Sequence, residues 1–319
     1  MGLSIFKNSH HNYPYIKNDM VMDTILEQQI WGKPGLKAAK KVFSKIKHLE
    51  RLWNRFNPDS LISKINQAAG LHPVRADIDT ISIIKTAKIF STQTDGTFDI
   101  TVLPLLQLWQ KAEKENKLPE TEKLEKALSF VNSTAIIIDN NEIFLPLKGM
   151  AIDLGGIAKG YAVDIAREIY LNNGIKKAII NFGGNVMVIG TKPDGSKWKI
   201  GLQKPESIRG ECFGFVEASN CSVVTSGNYE RYYKIGEKYF SHIINPKTGI
   251  SSSQEISSTT VISDSSTEAD ALATATIVMG QLKAQKLFNK INKSQIIMLT
   301  KKGEINNEGK KLSNFTPLL

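Results

Sequence analysis

The sequence predicts an α+β fold, with mixed, largely antiparallel sheets flanked by helices, and three observations carry that prediction. Segments whose apolar residues recur every three or four positions stand between runs of short strand-like segments. Several strand-like runs are joined by tight turns rich in Gly, Asn and Pro. No repeat or low-complexity stretch separates independent units, so residues 1–319 read as a single domain.

Taken in order, Tyr13–Ile30 reads as an edge strand interrupted at Met22-Asp23-Thr24. Gly35–Arg55 places Leu36, Ala39, Val42, Phe43 and Ile46 at helical spacing and ends near Asn57-Pro58. A short helix capped by Asp59 or Ser60 runs to Asn66, ahead of Gly70, and Ile78–Thr94 is a second amphipathic helix stopped by Asp95-Gly96. Thr97–Val102 follows as strand or loop, and Pro104–Glu115 as a short helix. The charged segment 111–126 reads as a surface insertion with a solvated face. Ala135–Asp139 and Glu142–Leu145 flank Asn140-Asn141 as a hairpin.

Beyond a glycine-rich stretch at 151–164, a helix is expected over Tyr161–Asn172, then strand, glycine bend and strand across Lys177–Gly190. Trp198–Gln203, Phe213–Ala218 and Ser222–Thr225 read as successive antiparallel strands. Lys238–Ile244 is a strand carrying His242, and Asn245–Gly249 a turn. Thr259–Ile262 is a strand, Thr267–Met279 and Leu282–Ile291 are helices, and Gln295–Thr300 is a last strand before a short tail.

Composition narrows the function classes. Lys and Arg number 41 against 31 Asp and Glu, a formal charge of +10, which suits an anionic substrate or partner. Much of the excess lies on stretches that read as solvated helix, and no basic run interleaved with aromatics occurs, so nucleic acid is disfavoured. Cys212 and Cys221, with no histidine cluster beside them, exclude a Cys/His metal site and allow, without requiring, a disulfide across a hairpin. No apolar run approaches the roughly 20 residues that span a bilayer. The N-terminal stretch lacks an apolar leader core and a lipid-accepting cysteine, so the chain as given reads as soluble, with a removed leader or anchor as the route to a membrane.

Three local features bear chemistry. AIDLGGIAKGYAVD, Ala151–Asp164, delivers a glycine pair to a helix start with Lys159 beside it, an arrangement that favours an anion such as phosphate; the alternative is a tight turn packed on a helix. Asp270 and Thr274 lie four apart on a helix and project from one face, a carboxylate and a hydroxyl suited to Mg2+, or else an ordinary surface or capping pair. His242 precedes a turn and suits a base or an orienting group for a hydroxyl, or else a structural hydrogen bond. The glycines at 183, 184 and 190 do not make G-x-G-x-x-G, and no P-loop is present.

Eight blocks in order then carry a resemblance: Met22-Asp23-Thr24; Ser60-x-x-Ser63-x-x-Asn66; Gly96–Val102; AIDLGGIAKGYAVD; Asn181-Phe182-Gly183-Gly184-Asn185; Thr225–Arg231; His242–Gly249; and Ala269-Asp270-Ala271-Leu272-Ala273-Thr274. Together they closely resemble the ApbE family, the FAD:protein FMN transferases. The resemblance implies an ApbE-like fold and a Mg2+-dependent enzyme that cleaves FAD, attaches FMN to a Thr or Ser hydroxyl of an acceptor protein and releases AMP. It leaves open an FAD pyrophosphatase giving FMN and AMP, or a non-catalytic flavin-binding protein. By block matching, Mg2+ would be held by the Ala158 carbonyl, Asp270 and Thr274, and His242 would assist the acceptor hydroxyl, with Asp270 also catalytic. Flavin contacts carry over to Met22, Phe56, Asn66, Thr97, Phe98, Asp99, Gly155, Lys159, Ser226, His242 and Ile244. Two departures bear on flavin affinity: Asp23 stands where many relatives have Gly, and Phe56 where some have Tyr. The implied acceptor presents an Asp-Gly-(Ser/Ala)-Thr-(Ser/Ala)-Thr type sequence. Asp270–Thr276 looks superficially like it but has the wrong spacing and reads as helix, which argues against self-modification. The resemblance also implies the bacterial envelope, periplasmic face, with the cytoplasm as the alternative.

Overall fold

In the computed structural model, which describes residues 13–229, 231–252 and 255–318, the first element is a hairpin. The N-terminal residues 1–12, read above for a leader, lie outside the described residues, as does Glu230 within its block. Strands β1 (Tyr15–Val21) and β2 (Thr24–Trp31) are joined by Met22 and Asp23 at φ of 50° and 56°. Two left-handed residues give the turn whose twist matches a hairpin, and a short polar Asp tolerates that conformation. The expected single interrupted edge strand is thus two strands, of which only β1 is at the sheet edge. The Met22 N–H donates to the Glu50 carboxylate at 2.6 Å, which fixes the turn against the next helix.

That helix is α1 (Gly35–Trp53), followed by α2 (Leu61–Gln67), whose N-terminus the Ser60 hydroxyl caps by accepting from the Ser63 N–H. Then come β3 (Val74–Arg75), α3 (Ile78–Gln93) capped by Asp77, a 3-10 turn at Ile100–Val102, α4 (Leu103–Lys114) and α5 (Thr121–Leu128). A small hairpin of β4 (Ile137–Asp139) and β5 (Glu142–Phe144) turns at Asn140-Asn141, both left-handed. Helix α6 (Ala158–Asn172) begins at the glycine stretch, three residues before its expected start.

The remaining elements are β6 (Lys177–Phe182), β7 (Asn185–Ile189), β8 (Trp198–Gln203), β9 (Cys212–Ala218), β10 (Ser222–Gly227), β11 (Tyr232–Ile235), β12 (Lys238–Ser241) and β13 (Ile256–Ser263). After them come α7 (Ser266–Met279), α8 (Gln281–Ile291), β14 (Gln295–Thr300), β15 (Ile305–Gly309) and β16 (Asn314–Pro317). The architecture is α+β. Among the described residues the largest sheet has eight antiparallel strands in the order β1-β2-β6-β7-β10-β13-β14-β15.

Alternation along the central strands builds a core on each face. Met187, Val224, Val261 and Ile296 point to the helices α1, α6, α7 and α8, while Val188, Val223, Ile262 and Ile297 pack against Trp198, Leu202, Phe213 and Val216 of the smaller sheet β16-β9-β8. Three expectations give way here. Strand β9 does not pair with β10, because the chain changes sheets at 219–221 and β10 enters the large sheet between β7 and β13. The "short tail" holds two strands: polar Ile305–Gly309 lacks a buried face to announce it, and Asn314–Pro317 returns to β9. The strand expected to run to Ile244 stops at Ser241.

A third cluster joins α4 and α5 to the hairpin β11–β12 through Leu105, Trp109, Ala127, Tyr233 and Ile235. Segment 111–126 therefore includes part of α5, whose Leu124 packs on this cluster. Cys212 and Cys221 are both free thiols, and burial pushes the Cys221 thiol up.

Candidate active site

A cleft of about 1090 Å³ opens where the Met22 turn, the end of α1, the glycine stretch, the β10 end and α7 converge. Asp153–Gly156 border it, in a segment outside any strand that is held by the Asp153 N–H donating to the Ile100 carbonyl at 2.8 Å and by side chains. Asn66 brackets Ile152, its Oδ1 accepting from the Ile152 N–H at 2.8 Å and its Nδ2 donating to the Ile152 carbonyl at 3.0 Å. The next residue, Asp153, pairs with the Arg55 guanidinium at 2.5 Å and accepts the Gly155 N–H at 2.7 Å.

Helix α6 leaves this segment with no side-chain cap. The amides expected to attract an anion are partly engaged: Ala158 N–H donates to the Leu154 carbonyl at 2.8 Å, and Gly160 N–H to the Asp270 carboxylate at 2.8 Å. The full charge of Lys159 therefore becomes the main anion-attracting group at this helix start. Its ammonium lies 3.1 Å from Asn185 Oδ1 and 3.6 Å from Asp270 Oδ1. Asn185 is fully buried, and its Nδ2 has no hydrogen-bond partner among the described residues. An orphaned buried donor destabilises by about 1–3 kcal/mol; the pairing of β7 with β6 and β10 places Asn185 there, and its Oδ1 accepts from Lys159.

The register of α7 on α6 is set by Asp164. Its carboxylate accepts from the Ser266 N–H (2.8 Å), the Thr267 N–H (2.9 Å), the Thr267 hydroxyl (2.6 Å) and the Ser265 hydroxyl (2.8 Å). The Ser265 hydroxyl caps the Glu268 N–H, so side chains satisfy three of the amides a helix start leaves open. With that end fixed, Asp270, 1% exposed, and Thr274 one turn on both face the cleft.

Ala158, Asp270 and Thr274 border the same cleft. A Cβ built on Gly156 would lie 3.6 Å from the Thr274 hydroxyl and 3.2 Å from the Phe98 ring, so the absent side chain keeps this cradle open. Among the described residues no three His, Cys, Asp or Glu cluster as a metal site, which leaves a carboxylate, a hydroxyl and a backbone carbonyl as the available donors. Such a hard, sparse oxygen set fits Mg2+ completed by phosphate oxygens and water.

His242 is half-buried on the cleft wall, its Nδ1 2.8 Å from the Arg231 carbonyl. A carbonyl only accepts, so the proton sits on Nδ1 and Nε2 keeps its lone pair. Burial holds the ring's pKa below the ordinary 6.5; the bond to Arg231 opposes this, and the Arg231 and Lys159 charges reinforce it. The ring is thus a neutral base at pH 7.

Of the flavin contacts expected, Met22, Phe56, Thr97, Phe98, Gly155, Lys159, Ser226 and Ile244 line the cleft. Phe56, 69% exposed, stands at the rim with the Arg55 guanidinium 4.2 Å over its ring. Asn66 and Asp99 have their side chains engaged within the fold. Asn66 does not border the cleft, because both its amide atoms are committed to Ile152. Asp99 borders it, but its carboxylate accepts from the Thr101 and Ser133 N–H groups and the Ser91 hydroxyl, so it braces the loop. Reasoning from sequence passed over Arg55, Asp153, Asp164 and Asn185 as individual contributors. Asp153, Asp164 and Asn185 lie inside the quoted blocks, and a polar residue on an otherwise apolar stretch is the available signal.

The ApbE family model matches residues 22–298. An FAD:protein FMN transferase of Klebsiella pneumoniae (strain 342) is 33% identical over 282 residues, covering 88% of this chain and 87% of that protein. The FAD:protein FMN transferase of Escherichia coli (strain K12) is 27% identical, covering 88% and 85%. Among solved structures, an ApbE protein of Thermotoga maritima superposes with a TM-score of 0.84 at 30% identity over 92% of this chain and 97% of that one. A flavin transferase ApbE from Vibrio cholerae, at 24% identity and a TM-score of 0.80, covers 93% and 96% and shares the fold.

Proposed function

The chain belongs to the ApbE family, and on that premise we infer that it is an FAD:protein FMN transferase, moving FMN from FAD to a Thr or Ser hydroxyl of an acceptor protein and releasing AMP. The observation that supports the chemistry is the meeting of Asp270, Thr274, Ala158 and Lys159 with a neutral His242 around one cleft.

His242 Nε2 takes the proton of the acceptor hydroxyl as its oxygen attacks the FMN phosphorus; the bond from that phosphorus to the bridging oxygen breaks, and AMP leaves with the electron pair. A hydroxyl is a weak nucleophile, so a base without a proton of its own at neutral pH is what the step needs. Lys159 faces the anionic diphosphate, and Asn185 and Asp270 hold its ammonium in place. Asp153 and Arg55 keep the glycine stretch in the shape that lets backbone approach the nucleotide. The Ala158 carbonyl, Asp270 and Thr274 would hold Mg2+, which when bound neutralises charge on the diphosphate.

The acceptor would carry an Asp-Gly-(Ser/Ala)-Thr-(Ser/Ala)-Thr type segment, and an envelope location belongs to the same reading. Among the described residues no helix is long and apolar enough to cross a membrane, so cell fractionation tests that location directly. The activity is tested by mass spectrometry of a carrier with that segment after incubation with FAD and Mg2+. Covalent FMN on the carrier supports the transferase. Free FMN and AMP with an unmodified carrier would assign the pyrophosphatase reaction instead.

A further inference from the structure

We propose that the β11–β12 hairpin is the docking surface for the acceptor protein, which lays an acidic, extended segment across it; this deepens the transferase reading and rests on it. Among the described residues the two strands form a sheet of their own. Strand alternation gives them two unlike faces. One face buries Tyr233 and Ile235 and packs Phe240 against α4, with the Trp109 ring 6.1 Å from Tyr233 and 5.1 Å from Phe240. Helix α4 also grips the strand backbone, Glu113 accepting the Lys234 N–H at 2.8 Å. The hairpin is therefore a rigid arm.

The other face is turned to solvent. It carries Tyr232 and Tyr239, 56% and 61% exposed, with rings edge to face at 4.8 Å, and the Lys234 ammonium 5.7 Å over the Tyr239 ring. Rigid tyrosines give large contact area at low entropic cost and are enriched in binding interfaces. Charge selects the partner: Lys234 lies on this face and Arg231 at its cleft end, while Lys238, paired with Ile235, lies on the other face at the turn; Glu237, in that turn, is the single acid within residues 231–241, so an acidic segment complements the exposed face.

Position completes the argument. Tyr232 and Arg231 border the cleft, which makes the exposed face continuous with it. The residue after β12 is His242, tied to the Arg231 carbonyl across the base of the hairpin. A segment lying on Tyr239 and Tyr232 is thus directed toward the base that accepts its hydroxyl proton.

The test uses the full chain with a carrier protein displaying Asp-Gly-Ser-Thr-Ser-Thr in an acidic flank, and the same carrier with the flanking acids changed to Asn and Gln. Lys234→Glu and Tyr239→Ala, both outside the cleft lining, should each raise KM for the acidic carrier about tenfold, with FAD affinity by flavin fluorescence unchanged. The neutral carrier should show a raised KM with the wild type and a weaker dependence on salt. Unchanged KM in both variants, equal KM for the two carriers, or a parallel loss of FAD affinity would overturn the docking surface. A wild type that modifies neither carrier overturns the transferase reading and this proposal together, whereas wild-type transfer with insensitive variants overturns this proposal alone.

Discussion

Asp270 and Gly160 meet across two helices: the Asp270 Oδ2 accepts the Gly160 N–H at 2.8 Å, and the backbones stand so close that a Cβ on Gly160 would lie 2.3 Å from the Ser266 carbonyl oxygen and 2.8 Å from the Asp270 Cβ. The buried carboxylate gains a donor, and the cleft gains a fixed distance between α6 and α7. Gly160→Ala should push the helices apart and destabilise the fold by about 2–3 kcal/mol. Urea unfolding followed by circular dichroism measures this, and a variant within 0.5 kcal/mol of wild type, roughly the size of an ordinary surface change, would contradict the close packing.

The Asp164 carboxylate anchors α7 by four hydrogen bonds, two of them to open helix amides. Asp164→Ala removes a cap and leaves those donors unsatisfied, an expected loss of about 2 kcal/mol. Asp164→Asn keeps an acceptor and should recover part of it. Equal stability of the two variants in a denaturant titration would remove the cap from the account.

Asp270→Asn retains an oxygen for the Gly160 N–H and removes the charge. If Mg2+ sits where the oxygen donors converge, the Mg2+ concentration for half-maximal FMN transfer should rise by more than about 100-fold, beyond the loss typical of outer-shell partners. Calorimetric titration of Mg2+ into the FAD complex gives an independent reading. An unaltered Mg2+ requirement would place the cation elsewhere.

The pKa of His242 is held below 6.5, chiefly by burial. A base lowered in the folded state is neutral at pH 7, so kcat/KM for the acceptor should stay level at neutral pH and fall only as the pH drops through that lowered value. Stability has the same sign: the contribution is present above the unfolded-state value near 6.5 and is lost as the pH falls toward the folded one. A pH–rate profile of wild type against His242→Gln reads the acid limb, which should vanish in the variant. A limb centred above pH 7 would exclude His242 as the group that titrates.

The sequence by itself determined the longer helices, the Asn140-Asn141 turn, a cap at Asp59 or Ser60 and the shared face of Asp270 and Thr274, because these depend on backbone preferences and periodicities that act within a few residues. Block order also identified the family. Only the tertiary structure decided that β10 leaves β9 for the large sheet, that polar residues 305–309 form a strand, that Asn66 and Asp99 brace loops, and that Asp164 caps the helix carrying Asp270. It likewise set the tautomer of His242 through the Arg231 carbonyl. Each of these rests on which surfaces exclude water together and which distant donor meets which acceptor, and no local pattern encodes a contact between residues a hundred positions apart.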